Sequence, residues 1–177
     1  MIALAFGYAA YTYVMTPVSD TTHVNSEEVA GEIASAKEVG ESSVEGLTPE
    51  QAANWQSFKQ AAIDLAPQYD YPVKVIIAQA ALESRRGTSR FARERFNYFG
   101  IGAFDSDPDK ARTYDSMEQG IVEYMKFVKE RFPEAYEARS NPDRMIELLV
   151  DNKMGRKYAT DPDYVAKLRD LPEWNEY

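Results

Sequence analysis

The sequence predicts a mainly α-helical domain over residues 48–177 of this 177-residue chain. Helix-start signals, in which a capping residue precedes a proline, recur at Thr48-Pro49, Asn141-Pro142 and Asp161-Pro162. Only the interval from Tyr98 to Tyr114, which holds two glycines and a proline, lacks a helical pattern. The composition, 44% hydrophobic and 28% charged, is ordinary for a soluble globular protein. A single helical core is therefore expected.

Each element follows from a local signal. The first helix begins at the Thr48 cap, which Gln51 completes as a capping box. The fourth begins at Asp115, with Glu118 three residues later. In chain order, the predicted helices cover residues 49–66, 72–85, 89–96, 116–131, 142–152 and 161–169. The interval between the third and fourth helices is expected to form a small hairpin or a loop.

The chain before Thr48 differs in character from this domain. Residues 1–18 carry no charged side chain, but a helix over residues 2–16 would span only about 22 Å, short of the ~30 Å hydrocarbon core. We expect either a marginal membrane anchor or export signal, or a helix docked on protein. Residues 19–47 are rich in Ser, Thr, Glu and Gly and contain no aromatic residue, which is typical of an acidic linker.

Charge and residue usage exclude several functions. The formal net charge of −9 argues against a nucleic-acid partner. Residues 1–47 hold seven of the 29 acidic residues and one of the 20 basic residues, so the excess acidity lies mainly there. The absence of cysteine excludes disulfides, thiolate zinc sites and cysteine nucleophiles. His23 is the single histidine, so a Ser-His-Asp triad or a metal site would depend on it alone.

Glu83 is the most informative polar residue of the predicted helices. On a helix over residues 72–85 it falls within about 60° of Ile76 and Ala80. Burial and the negative end of the helix dipole would both raise its pKa. A carboxyl that stays protonated near neutrality is what a glycosidase needs as its general acid. The alternative is that Glu83 pairs with Arg85, Arg86 or another base and only closes the helix.

Four short motifs occur in order across about residues 72–170: AQAALESRRGTS, NYFG, YDS and YATDPDY. Together they resemble the bacterial peptidoglycan-hydrolysing β-N-acetylglucosaminidases of glycoside hydrolase family 73. The resemblance implies a lysozyme-like helical fold with a cleft between a helical part and a small β/loop lobe. The short interval before YDS predicts that this lobe is shortened.

The resemblance also implies roles for individual residues. Glu83 corresponds to the catalytic acid, which protonates the glycosidic oxygen of the leaving sugar. Tyr158 corresponds to a tyrosine lining the cleft beside that acid. Asn97 and Phe99 correspond to residues that shape the floor of the site.

Other motif positions are less specific. Tyr164 and Asp161 match the last motif, although Asp161 also fits the N-cap of a helix beginning at Pro162. Tyr98 and Tyr114 are candidates for stacking on sugar faces, and a role in the core is the alternative.

Two departures from the family pattern affect the predicted site. Arg85-Arg86 stands where typical members have Gly-Trp, and it forms either a solvated helix face or a receptor for carboxylates of the peptide stem or lactyl group. The second carboxylate of the family would have to be Asp105, Asp107 or Asp109, which could activate water in an inverting reaction or form a simple turn. If none reaches the cleft, the N-acetyl group of the substrate or a water placed by Tyr158 could take that role.

No cofactor or metal is expected. The segment DSDPD has oxygens at alternate positions but lacks the glycine and terminal glutamate of an EF-hand loop. Acid-base groups and water suffice for glycoside cleavage.

The leading hypothesis is a hydrolase that cuts the β-1,4 bond between N-acetylglucosamine and N-acetylmuramic acid. The alternatives are a lytic transglycosylase, or a catalytically lapsed wall-binding or assembly module of a phage or envelope machine. The expected partners are peptidoglycan glycan strands, with a possible membrane or protein partner for residues 1–18. The expected location is the cell envelope, membrane-tethered or otherwise, with a phage virion as the alternative.

Overall fold

The computed structural model describes residues 46–103 and 110–177. The predictions for residues 1–18, for almost all of the linker and for Asp105, Asp107 and Asp109 lie outside these residues. No helix of the described ranges is long and apolar enough to cross a membrane.

The described residues form α-helices, one 3-10 helix and connecting turns, with no strand. The 3-10 helix covers Ala66–Tyr69. The α-helices are α1 Pro49–Leu65, α2 Val73–Ser84, α3 Arg90–Arg95, α4 Met117–Arg131, α5 Pro133–Glu137, α6 Pro142–Val150, α7 Tyr164–Arg169 and α8 Pro172–Glu176. The mainly helical fold predicted from the sequence is confirmed.

Two of the predicted helix starts form as expected. The hydroxyl of Thr48 accepts from the N–H of Gln51, and the Gln51 side chain accepts from the N–H of Thr48. The Asn141 side chain caps α6 by accepting from the N–H of Arg144 at 3.1 Å. These caps satisfy helix N–H groups that have no carbonyl partner within the helix.

Two starts differ from the prediction. The cap of α4 is Ser116, not Asp115, because the Ser116 hydroxyl accepts from the N–H of Gln119. Asp161 is not a helix cap: α7 begins at Tyr164, and Asp161 accepts from the N–H of Asp163 at 2.9 Å and pairs with Lys167. Asp161 therefore orders the turn before α7.

The sequence prediction omitted the 3-10 helix and the short helices α5 and α8. Each contains a proline at its first or second position, and none is long enough to show a helical period. In the described part of the interval predicted as a hairpin or loop, Arg112 N–H donates to the Ile101 carbonyl at 2.9 Å and Ala103 N–H donates to the Gly100 carbonyl at 3.0 Å. The described part of this lobe is a loop.

Helix α2 forms the centre of the core. Eight of its twelve residues are buried: Val75, Ile76, Ile77, Ala78, Gln79, Ala80, Ala81 and Ser84. It contacts α1, α6, α7 and α8. A helix buried on most sides has little freedom to move, so its carboxyl end is a rigid position for a functional side chain.

Candidate active site

Glu83 lies in the last turn of α2, at the wall of a cleft. The residue is half-buried, and its Oε1 accepts a hydrogen bond of 2.8 Å from the Tyr164 hydroxyl. Burial raises the pKa of Glu83 above its ordinary value, and the smaller effect of the Tyr164 hydrogen bond lowers it. Among the ion pairs of the described residues, none joins Glu83 to Arg85, and Arg86 pairs with Glu173 instead, so neither arginine closes the helix by pairing with Glu83.

The cleft has a volume of about 1020 Å³. Its apolar lining consists of Phe99, Ile101, Phe127, Phe132 and Tyr158. Its basic lining consists of Lys110, Arg112, Arg131, Arg156 and Lys157, and Glu130 is a second carboxylate facing the same space. The cleft is therefore large enough for several sugar rings and carries more positive than negative charge.

Tyr158 lies beside Glu83 on the cleft wall, as the resemblance implies. Its hydroxyl donates to the Phe99 carbonyl at 3.0 Å. Its ring packs against Phe132 and Tyr164, with centroid distances of 5.9 and 6.0 Å. These contacts fix the Tyr158 ring and join it to the loop that carries Phe99.

Asn97 and Phe99 order the loop on which the cleft lining from Phe99 to Ala103 lies. The buried Asn97 side chain donates to the carbonyls of Ile101 and Arg112 at 2.9 and 3.0 Å, and it accepts from the N–H of Ile101. Phe99 stacks on Tyr124 with a centroid distance of 3.8 Å. Asn97 thus closes the loop, and Phe99 anchors it to α4.

Tyr98 and Tyr114 are core residues, which decides between the two roles left open. Tyr98 is 5% exposed and packs on Phe58 with a centroid distance of 4.4 Å. Burial raises its pKa to about 12. Tyr114 is 7% exposed, so neither ring presents a face to a sugar.

The predicted role of Arg86 as a receptor for substrate carboxylates is wrong. Its guanidinium makes a two-point ion pair with the fully buried Glu173 of α8, with 3.0 Å between Nη2 and Oε2. A buried charge needs such a partner. The Arg86 guanidinium is therefore occupied by Glu173 and is not available to a substrate carboxylate. Arg85 is exposed, does not line the cleft described above and adopts a left-handed conformation with φ of 51°.

Sequence reasoning missed the polar residues behind Glu83. Gln79, one turn before Glu83, is fully buried and donates to the Tyr164 hydroxyl at 2.8 Å. Its carbonyl oxygen accepts from Tyr124, which in turn accepts from Tyr71 at 3.0 Å. A lone polar residue in the apolar run VIIAQAAL was the signal for Gln79.

In the described ranges, no group of three or more acidic or histidine side chains could hold a metal ion. Asp105, Asp107 and Asp109 lie outside those ranges, and the predicted role of each stays untested.

A known structure shares this fold. The catalytic domain of the autolysin Auto from Listeria monocytogenes has a similar structure, with a TM-score of 0.56 over 87% of this chain and 97% of that domain at 23% identity. The likeness shows that the described residues have a lysozyme-like helical fold.

The chain belongs to the glucosaminidase family, glycoside hydrolase family 73. The family model described as mannosyl-glycoprotein endo-beta-N-acetylglucosaminidase matches residues 59–176. A Streptococcus pneumoniae protein assigned as an endo-beta-N-acetylglucosaminidase is 31% identical over 115 residues, 63% of this chain and 16% of the relative. A Bacillus subtilis beta-N-acetylglucosaminidase is 29% identical over 122 residues, 61% of this chain and 14% of the relative. The chain thus spans about a sixth of the length of these relatives.

Proposed function

We propose that this domain hydrolyses the β-1,4 bond between N-acetylglucosamine and N-acetylmuramic acid in peptidoglycan, with Glu83 as the general acid. The environment of Glu83 carries the proposal, since it is a half-buried carboxyl with a raised pKa on the wall of a cleft. The names of the relatives, which describe action at N-acetylglucosamine linkages, support the same bond type.

In the proposed reaction, Glu83 donates its proton to the glycosidic oxygen as the bond to the sugar breaks. A carboxyl with a raised pKa remains protonated closer to neutral pH and can supply that proton. Phe127 and Tyr158 on the cleft wall offer apolar surface for sugar rings.

The group that activates water is a separate part of the proposal. Asp105, Asp107 and Asp109 are the candidates that the family resemblance supplies. Glu130 is a further candidate because it lines the same cleft as Glu83. An inverting enzyme needs the two carboxyl groups about 6.5–9.5 Å apart, and the N-acetyl group of the substrate is the alternative.

The charge of the cleft supports an anionic polymer as the substrate. Five basic side chains and two carboxylates line it, although the whole chain carries −9. The lactyl and peptide-stem carboxylates of peptidoglycan would complement these bases. Arg156 and Lys157, both exposed beside Tyr158, replace Arg85 and Arg86 as the proposed carboxylate receptors.

A peptidoglycan substrate places the site of action in the cell envelope. The apolar residues 1–18 are proposed to provide the attachment, to a membrane or to a protein such as a component of a virion. The acidic residues 19–47 would then act as the spacer.

Mass spectrometry of digested cell wall tests the proposed reaction. We expect new reducing ends that carry N-acetylglucosamine. Anhydro-muramic ends would instead show a lytic transglycosylase, and the absence of new ends would show a binding module without catalysis. Either result contradicts the proposal.

A further inference from the structure

A chain of hydrogen bonds runs through the core behind Glu83. It passes from Tyr71 through Tyr124, Gln79 and Tyr164 to Glu83, and so joins the loop before α2 to helices α4, α2 and α7. The four members behind Glu83 are each at most 5% exposed. Water does not reach these groups, so each hydroxyl proton must be used within the chain.

The direction of the chain follows from the chemistry of its members. The Gln79 amide nitrogen can only donate, so the Tyr164 oxygen receives that bond and must direct its own proton elsewhere. The remaining partner is Glu83 Oε1 at 2.8 Å. On the other side, the Tyr124 hydroxyl donates to the Gln79 carbonyl oxygen and holds the amide in this orientation.

We propose that Gln79 is a positioning residue that turns the Tyr164 hydroxyl proton toward Glu83 Oε1, so that the proton transferred to the substrate resides on Oε2. The proposal rests on the role of Glu83 proposed above. Oε1 already accepts a hydrogen bond, so the neutral carboxyl carries its proton on the other oxygen. The amide of Gln79 therefore determines which carboxyl oxygen of Glu83 carries the proton.

The reversed amide shows why the orientation matters. With the Gln79 carbonyl oxygen facing Tyr164, the Tyr164 proton would go to Gln79 and not to Glu83. Oε1 would then need a proton of its own to make the 2.8 Å contact. The proton for catalysis would be held between Glu83 and Tyr164, away from the substrate, and the neutral form of Glu83 would be stabilised.

The groups around Glu83 do not compete for this proton. Burial raises the pKa of Tyr124, Tyr158 and Tyr164, so all three hydroxyls remain protonated at neutral pH. The charged groups on the cleft side are those of the cleft lining, with Glu130 the other described carboxylate there.

Carbon-13 NMR titration of the full chain tests the proposal without requiring activity. The Glu83 carboxyl signal is assigned as the one lost in Glu83→Gln. In Gln79→Met, which preserves side-chain length and removes both polar groups, Tyr164 loses the N–H donor that strengthens its own hydrogen bond to the Glu83 carboxylate, so we expect the titration midpoint to rise by roughly 0.5 pH unit or more. In a Tyr164→Phe background the same substitution should add no further rise, because Gln79 acts through Tyr164.

Wall digestion gives the second readout. The alkaline limb of the Gln79→Met rate profile should move upward with the midpoint, while kcat falls about two- to fivefold and KM stays unchanged. The control is Lys59→Met. Lys59 is buried and pairs with Glu176, and neither belongs to the chain of hydrogen bonds behind Glu83. This variant should therefore lose stability and keep the titration midpoint of Glu83.

Two results would overturn the proposal: an unchanged midpoint in folded Gln79→Met, or equal rises with and without Tyr164. If Gln79→Met does not fold, Tyr124→Phe provides the same test. It removes the hydroxyl that holds the Gln79 amide in its orientation and keeps the ring that stacks on Phe99. If wild-type protein releases no reducing ends, the proposed function fails, and the titration still decides the role of Gln79.

Discussion

Glu83 is held where burial opposes its charge. Its single described hydrogen bond, from Tyr164, stabilises the carboxylate but does not cancel the effect of burial, so the pKa remains raised. Such a residue serves catalysis at a cost in stability, because the unfolded chain solvates the carboxylate better. The proposed acid should therefore destabilise its own fold at neutral pH.

The stability of Glu83→Gln has a defined pH dependence. Because the pKa of Glu83 is higher in the folded protein, the folded state holds more protons than the unfolded state between the two pKa values. The free energy of unfolding of wild type therefore falls as pH rises above the unfolded pKa of about 4.3. Glu83→Gln removes this loss, so it should be more stable than wild type at pH 7 and similar near pH 4.

Urea denaturation at both pH values measures this difference. Glu130→Gln, which alters an exposed carboxylate of the same cleft, is the matched control. A Glu83→Gln variant that is equally destabilised at both pH values would contradict the account of burial.

Helix α2 ends abruptly, and its end depends on contacts that are distant in sequence. Arg85, Arg86 and Gly87 all have positive φ angles, of 51°, 55° and 79°. A Cβ at position 87 would lie 3.1 Å from Tyr98 Cε1, so glycine fits both the φ and the space. The ion pair between Arg86 and Glu173 connects this turn to α8 and so helps to hold Glu83 in position.

Substitution of Arg86 should affect stability more than substrate binding. Arg86→Met leaves the Glu173 carboxylate buried without a partner, and we expect a loss of about 3–5 kcal/mol in the free energy of unfolding. Arg85→Met, at the exposed neighbouring position, should change it by less than about 0.5 kcal/mol.

The double variant Arg86→Met, Glu173→Leu should recover much of the stability, which urea denaturation measures. If the single variant folds as well as wild type but loses affinity for wall fragments, the assignment of Arg86 to structure is wrong.

The long helices, together with the caps of α1 and α6, were predictable because their signals are local. The capping box of Thr48 and Gln51 is an example, since its two partners are three residues apart. The partner of Arg86 was not predictable, because Glu173 follows 87 residues later and belongs to a helix of one turn. The position of Glu83 followed from helical spacing, whereas its hydroxyl donor required the folded arrangement of α2 and α7.

Over the whole molecule, charge separates by region. The net charge of −9 belongs mainly to residues 1–47, while bases line the cleft beside Glu83. The domain therefore presents a locally positive surface, which would complement the carboxylates of the proposed peptidoglycan substrate. The division at Thr48 remains a prediction from composition.

The rate at which cell wall gains reducing N-acetylglucosamine ends, compared between wild type, Glu83→Gln and Glu130→Gln, tests the central claim most directly. Removal of a general acid costs about 10²–10⁴-fold in rate. We expect Glu83→Gln to lose at least about 100-fold while remaining folded, and a comparable loss in Glu130→Gln would identify Glu130 as the group that activates water. A folded Glu83→Gln variant that cuts wall at the wild-type rate would contradict the account.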